Sequence, residues 1–123
     1  MELTLSPLGH TWILDLDGTI VKHNGYKTDG YDSFLPEAEE FLESIPEGDM
    51  IVLLTSRTID CADITEEFLS KNGVRYDHII YGAPYGERIL INDNKPSGLI
   101  TGYVINSDRD SGISIKYTID NDL

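Results

Sequence analysis

The chain has 123 residues, of which 9 are Lys or Arg and 22 are Asp or Glu, so its formal net charge at pH 7 is −13. This length suits one domain, 1–123, with a sizeable core, and the ordinary hydrophobic (40%) and charged (25%) contents exclude a disordered chain. So acidic a protein is repelled by nucleic acids and by anionic membranes, and we expect neither as a partner.

The cysteine count and the N-terminal sequence favour a cytoplasmic protein. Cys61 is the only cysteine, which excludes an internal disulfide and fits a reducing compartment. The N-terminus lacks the basic segment and the uninterrupted apolar run of a signal peptide, and no run reaches the length of a membrane span. The sequence leaves the oligomeric state open.

Short apolar runs recur along the chain and predict five strands, at residues 13–16, 50–54, 78–81, 89–91 and 103–105. Two segments between them, PEAEEFLESI and DCADITEEFLSKNG, carry apolar residues at helical spacing. In the tail, Ile113, Ile115, Tyr117 and Ile119 alternate with other residues and suggest an extra strand. This order predicts an α/β fold, a Rossmann-like three-layer sandwich with a mostly parallel sheet.

Polar side chains follow three of the predicted strands at the point where each strand ends. Asp15-Leu16-Asp17-Gly18-Thr19 follows the first, Thr55-Ser56-Arg57 the second, and Asn92-Asp93-Asn94-Lys95 the fourth. Ligands of open parallel sheets bind beyond the carboxyl ends of the strands. We therefore expect these residues to form one site.

The residue types at these positions suit phosphoryl transfer. At strand spacing Asp15 and Asp17 would share a face, and with a third carboxylate they could hold Mg²⁺. One carboxylate could act as nucleophile while the other moves a proton. The hydroxyl of Thr55 can donate to a phosphoryl oxygen, and Gly18 permits a sharp turn whose N–H groups face the phosphate.

The motifs DLDGT and IVLLTSR, each on an apolar strand, followed by ILIND, resemble the haloacid dehalogenase (HAD) superfamily of phosphatases. The resemblance covers roughly residues 12–106. A weaker likeness, in FLSKNGVRYDHIIYG and ILIND, is to small HAD proteins associated with bacterial capsule and surface-sugar biosynthesis. It suggests a sugar phosphate as the substrate, but nothing in the chain distinguishes a sugar phosphate from a nucleotide or a phosphoprotein.

The resemblance implies a Mg²⁺-dependent phosphatase that hydrolyses a phosphorylated small molecule through an aspartyl-phosphate. Asp15 matches the nucleophile, Asp17 the general acid/base and Thr55 the hydroxyl that orients the phosphoryl group. The metal would be held by Asp15, by the main-chain carbonyl of Asp17, and by Asp93, with or without Asn92. The candidate substrate-binding residues are Gly18, Thr19, Ser56, Arg57 and Arg88. For Arg57 an alternative stays open, since it could equally pair with a surface acid of this acidic chain.

Two departures from the family pattern leave alternatives open. Related proteins often read Asp-Asp where this chain reads Asn92-Asp93, and the sequence does not decide which position binds the metal. They often carry Gly-Lys-Pro where this chain has GAP at residues 82–84. Four alternatives stay open for the role of the missing lysine, which is to neutralise the phosphate. The substitute is Lys95, Arg88 or Lys71, or the chain has none, and we favour Lys95 as the catalytic residue.

Loop lengths predict that no cap domain covers the site, because residues 21–35 and 60–77 are too few to fold into one. Two alternatives to a phosphatase stay open. The chain could be a catalytically degenerate HAD domain that binds a ligand or a protein partner without turnover. It could also be a phospho-acceptor receiver domain, although the Asp-x-Asp-Gly-Thr order fits the HAD scheme better.

Overall fold

A computed structural model describes all residues of the chain, 1–123. Five strands and three α-helices follow one another, with a short 3-10 turn at Ile59–Cys61. In chain order they are β1 (Glu2–Leu5), β2 (Thr11–Leu14), α1 (Gly25–Thr28), α2 (Ala38–Ser44), β3 (Met50–Leu54), α3 (Ala62–Lys71), β4 (His78–Ile80) and β5 (Lys116–Ile119).

The strands form two sheets in which all neighbours run parallel. One sheet has the order β2-β3-β4, and the other pairs β1 with β5. The predicted α/β fold with parallel strands and no cap domain is confirmed, since only the short helix α1 lies between β2 and α2. Leu14 of β2 is in register with Leu53 of β3, so these strands end side by side.

One face of the three-stranded sheet forms the core. Residues in register on neighbouring parallel strands share a face, and successive residues of a strand alternate between faces. Ile51 and Leu53 of β3 are fully buried, whereas Ile13 and Ile80 on the opposite face are about half exposed. The core face of the sheet consists of Trp12, Leu14, Ile51, Leu53 and Ile79.

Both predicted helices are confirmed, and both pack on this core. Phe41 of α2 and Leu69 of α3 are buried there. The chain leaves α3 through Gly73 at φ +67°, a conformation that is common at helix ends and that glycine adopts without strain. No helix combines the length and the apolar composition needed to cross a bilayer.

The strands predicted at residues 89–91 and 103–105 are wrong. Neither segment pairs with a sheet, and most side chains of both are exposed. The two segments lie beside each other instead, because Asn92 Nδ2 donates to the carbonyl of Thr101 and the Thr101 hydroxyl donates to the carbonyl of Asp93. A short apolar run does not by itself specify a strand, and neither segment has a neighbouring strand to pair with.

The extra strand suggested by the tail pattern is confirmed as β5, which pairs with β1. Just before it, the chain packs against the start of α2. The N–H of Ile113 donates to the carbonyl oxygen of Pro36 over 3.1 Å. Gly112 adopts φ +86°, and a Cβ there would overlap that carbonyl oxygen. Glycine is therefore required at this contact for both conformation and space.

We predict that Gly112→Ala destabilises the protein by about 3 kcal/mol, because it adds a steric overlap to the strain of a left-handed residue. Gly98→Ala is the matched control, since Gly98 has φ +89° but open space around its Cβ position. It should cost only about 1–2 kcal/mol. Urea unfolding of both variants measures the difference, and equal losses would contradict the proposed contact.

A buried carboxylate ties the start of β2 to the start of β3. Asp49 accepts hydrogen bonds from the N–H and Nδ1 of His10 and from Nε1 of Trp12, all between 2.9 and 3.0 Å, and its side chain is 4% exposed. Burial alone would raise the pKa of Asp49, but the hydrogen bonds from Trp12 and His10 outweigh it and lower the pKa below its usual value.

We predict that Asp49→Ala lowers the unfolding free energy by about 3 kcal/mol near neutral pH, because three partly buried donors lose their acceptor. Since the pKa of Asp49 is lowered on folding, its contribution is complete above the unfolded pKa of about 4 and is lost as pH falls further. The gap between wild type and variant should therefore narrow below that pH. Glu47→Ala, an exposed carboxylate in the same loop, is the control and should have little effect.

Candidate active site

The turn after β2 directs the two aspartates of the DLDGT motif to different partners. The carbonyl oxygen of Leu16 accepts hydrogen bonds from the N–H groups of residues 19–21, and Gly18 adopts φ +83°. Asp15 and Asp17 lie beyond the last residue of β2, Leu14, so strand alternation does not determine their orientation, and their shared face stays a prediction. Asp15 contacts Arg88, while Asp17 contacts Arg57.

Asp15 lies at the end of β2 and is accessible from solvent. Its side chain is 38% exposed. Arg88 Nη1 donates to one carboxylate oxygen over 3.0 Å, and the Thr19 hydroxyl donates to the other over 3.3 Å. Arg88 Nη2 also reaches the Ser56 hydroxyl oxygen at 3.5 Å. A carboxylate, a guanidinium and two hydroxyl groups thus meet at the predicted sheet edge.

Asp17 is held by Arg57, which follows β3. Nε and Nη2 of the guanidinium donate to the two oxygens of the Asp17 carboxylate, each over 2.9 Å. This bidentate arrangement is the strongest form of an arginine–carboxylate pair. The side chain of Arg57 is 2% exposed and that of Asp17 is 18% exposed, so water screens the pair weakly.

The same guanidinium also binds Asp32 and Thr65. Nη1 donates to Asp32 Oδ2 at 3.0 Å and to Thr65 Oγ1 at 2.9 Å, and Nη2 donates to Asp32 Oδ1 at 2.7 Å. With the two bonds to Asp17, each of its five N–H donors has an acceptor. Arg57, a candidate substrate ligand from sequence, therefore has no donor left for a substrate in this arrangement.

Burial and ion pairing act in opposite directions on this guanidinium. Burial would lower the pKa of Arg57, but the hydrogen bonds and charges of Asp17 and Asp32 outweigh it and raise that pKa. The ring of Tyr26 stacks on Arg57, with 4.2 Å between its centroid and the central guanidinium carbon. Burial, followed by contact with the Cys61 thiol, raises the pKa of Tyr26 to about 12.

Thr55 lies at the end of β3, next to this network. It is 1% exposed, and its hydroxyl oxygen accepts a hydrogen bond from the N–H of Arg57 over 3.0 Å. The Thr55 carbonyl in turn accepts from the N–H of Ala83. Thr55 forms no hydrogen bond with Asp15, and its predicted contact with a phosphoryl group stays a prediction.

Asn92, Asp93 and Lys95 follow a segment that does not join the sheet. Asn92 bonds to Thr101, and Lys95 forms no ion pair. No group of three or more His, Cys, Asp or Glu side chains is arranged to hold a metal ion. The structure therefore brings together Asp15, Thr19, Ser56 and Arg88, but not Asn92 and Asp93 of ILIND.

The C-terminal segment closes over the DLDGT turn. The N–H of Asp110 donates to the carbonyl oxygen of Gly18 over 3.0 Å, and the Asp110 carboxylate accepts from the N–H of His23 over 2.8 Å. Arg109 Cγ lies 3.2 Å from the position that a Cβ on Gly18 would take. A residue larger than glycine would therefore press on Arg109.

Sequence reasoning missed Asp32, Tyr26 and Thr65, which surround Arg57. Tyr26 and Asp32 lie in the loop HNGYKTDGYDSF, whose polar composition is typical of solvated loops. In the sequence, Asp32 is one acidic residue of that loop and Thr65 is a single threonine on the buried side of α3. Neither position indicates that the two residues contact the same arginine.

Comparisons with known proteins add no family to these observations: no protein-family model, curated protein or solved structure matches the chain. The HAD resemblance therefore rests on the motifs.

We predict that Arg57→Leu lowers the unfolding free energy by about 3–5 kcal/mol, because it leaves Asp17 and Asp32 without their counter-ion. Lys22→Leu is the control, since Lys22 pairs with Asp29 in solvent and is 45% exposed. Its unfolding midpoint should stay close to that of the wild type. Denaturant titration of both variants makes the comparison, and equal midpoints for the two variants would exclude a central role for Arg57.

Proposed function

We propose that this chain hydrolyses a phosphorylated small molecule by transferring the phosphoryl group to Asp15. The observation that carries the proposal is the pairing of an accessible carboxylate, Asp15, with the guanidinium of Arg88 at 3.0 Å. A phosphoryl group bound there would meet a nucleophile and a cation together. The motif resemblance to HAD phosphatases independently supports Asp15 as the nucleophile.

The backbone beside Asp15 offers further groups that suit an anion. The N–H groups of Leu16 and Asp17 form no hydrogen bond within the chain. Leu16 is 1% exposed, and buried backbone donors without an acceptor are uncommon. Successive free N–H groups are able to bind an anion. The N–H of Gly18, in contrast, donates to the carbonyl oxygen of Val21. We assign the predicted backbone contact with phosphate to Leu16 and Asp17 rather than to Gly18.

In the proposed reaction, an oxygen of Asp15 attacks phosphorus and the bond between phosphorus and the leaving group breaks. Arg88 and the two free N–H groups bind the phosphoryl oxygens and offset their charge, and Thr19 and Ser56 supply hydroxyl donors. Water then attacks phosphorus, the bond to Asp15 breaks, and the carboxylate is regenerated. Arg88 therefore takes the role that the missing family lysine would have, in preference to Lys95.

Mg²⁺ fits part of this site. It commonly binds proteins through one or two carboxylates and keeps several waters. Asp15 offers a carboxylate, and the main-chain carbonyl of Asp17 accepts no hydrogen bond within the chain. The chemistry it would supply is neutralisation of phosphoryl charge. Asp93 and Asn92 remain predicted ligands that would have to move to reach it.

We predict that Asp15→Asn lowers phosphate release by at least about 10³-fold, because the amide cannot form the acyl-phosphate bond. The assay measures inorganic phosphate with Mg²⁺ across acyl phosphates, sugar phosphates and nucleotides. Asp63→Asn, an exposed carboxylate on α3, is the matched control and should retain full activity.

Ligand binding can be measured separately from phosphate release, through its effect on the melting temperature. Mg²⁺ should raise the melting temperature of the wild type by mass action and that of Asp15→Asn less. Equal phosphate release by the wild type and Asp15→Asn would overturn the assignment of Asp15. Binding of Mg²⁺ or of phosphorylated compounds without any release would instead support the non-catalytic binding domain.

A further inference from the structure

Residues 85–104, which we call the arm, leave large apolar side chains in water. The arm follows β4 and contains no helix and no strand. Tyr85 and Ile91 are 93% and 92% exposed, more than any other large hydrophobic residue of the chain, and Ile89 is 83% exposed. We refer to Ile89 and Ile91 as the protruding isoleucines. Such side chains are costly to leave in water unless another surface covers them.

Four other apolar side chains of the arm line a groove. Leu90, Ile100, Tyr103 and Val104 surround it together with polar and glycine residues of the arm, and its volume is about 230 Å³. This exceeds the about 150 Å³ of an apolar cavity that holds benzene, so an isoleucine side chain fits into the groove. The protruding isoleucines do not line it. The arm therefore carries both an apolar groove and apolar side chains of the size that would fill one.

The apolar surface that the arm exposes has the size of a protein–protein contact. With about 200 Å² for a fully exposed tyrosine side chain and about 100 Å² for an aliphatic one, these seven side chains leave on the order of 600 Å² uncovered. The largest apolar patch of a typical monomer is about 300–600 Å², and each partner in the smaller stable interfaces buries about 600 Å². The arm therefore offers enough surface for one stable contact.

The charge distribution indicates which partner the arm fits. It contains two acidic residues, Glu87 and Asp93, and two basic residues, Arg88 and Lys95, so its net charge is zero and the remainder of the chain carries the whole −13. Two copies therefore repel each other everywhere except at their arms, whereas a basic partner would be attracted to the rest of the surface. Asp93 and Lys95 form no ion pair within the chain, so each is free to pair with the opposite charge of a second arm.

We propose that two copies of this chain associate through their arms around a twofold axis. The protruding isoleucines of each copy enter the groove of the other. A twofold contact is reciprocal, so one patch that contains both the inserted side chains and the groove is complementary to itself. Asp93 of one copy pairs with Lys95 of the other at the edge of the contact.

Sedimentation equilibrium of the wild type, from micromolar to millimolar protein and at several NaCl concentrations, tests the association. We expect a monomer–dimer equilibrium whose Kd falls as NaCl rises, because salt screens the repulsion between the acidic remainders of the two copies. A single monomer under all conditions would overturn the proposal. A dimer that weakens with salt would overturn it as well, since attraction between charges would then hold the copies together.

Substitutions locate the contact on the arm. Ile91→Asp places an unpaired charge in it and should raise the Kd by at least about 10-fold, and Val104→Asp should do the same from the groove side. Ile64→Asp is the matched control, since Ile64 is 47% exposed on α3 and outside the arm, and its Kd should stay close to that of the wild type. Urea unfolding confirms that each variant is folded. Equal Kd values for Ile91→Asp, Val104→Asp and the control would contradict the proposal.

Amide hydrogen exchange of the arm separates a second copy from other occupants. We expect protection of residues 89–91 that increases with protein concentration. Protection that does not depend on concentration would mean that the arm covers its own sheet, and fast exchange at every concentration would leave the arm to a different protein. Both results would overturn the proposal. Asp15→Asn should dimerise like the wild type, so failure of the proposed phosphatase activity and failure of the dimer are separate results.

Discussion

The guanidinium of Arg57 joins the parts of the chain that carry the chemistry. It follows β3, and it binds Asp17 from the turn after β2, Asp32 from the loop after α1, and Thr65 from α3. A buried cation is tolerated only when hydrogen bonds and opposite charges replace its hydration. Here the five N–H donors of Arg57 form five hydrogen bonds and meet that requirement. The loop, the turn and the helix must therefore keep the positions in which these hydrogen bonds form.

Periodicity predicted the elements that are stabilised locally. β3 and α3 have apolar residues at strand and helix spacing, and parallel pairing then brings the residues after Leu14 and Leu53 to one edge. The strand predicted at residues 89–91 is wrong, because an apolar run does not specify by itself whether a neighbouring strand is available to pair with it. In the chain, this segment lies beside residues 100–104 rather than in the sheet.

The partners of Arg57 could not be predicted from sequence, for a related reason. The chain has 22 acidic residues, and nearly all of them could in principle pair with a given arginine. Asp32 is 25 residues away in a loop with no periodic pattern. Motif spacing does identify Asp15 and Asp17, because the apolar strand that precedes them places both residues just beyond its carboxyl end. It does not specify that one aspartate is exposed and the other bound to a guanidinium.

That difference between the aspartates gives the site its chemical character. Asp15 is 38% exposed and its partner Arg88 is 36% exposed, so a phosphoryl group can enter and exchange partners with them at modest cost. Asp17 and Arg57 are 18% and 2% exposed, and their pair cannot rearrange without leaving charge buried. The Asp17–Arg57 pair would contribute to catalysis by holding the turn after β2 in position, since preorganised groups need no reorganisation during the reaction. The fold thus places the more exposed ion pair where bonds would form in the proposed reaction, and the buried pair where it holds the turn after β2 in position.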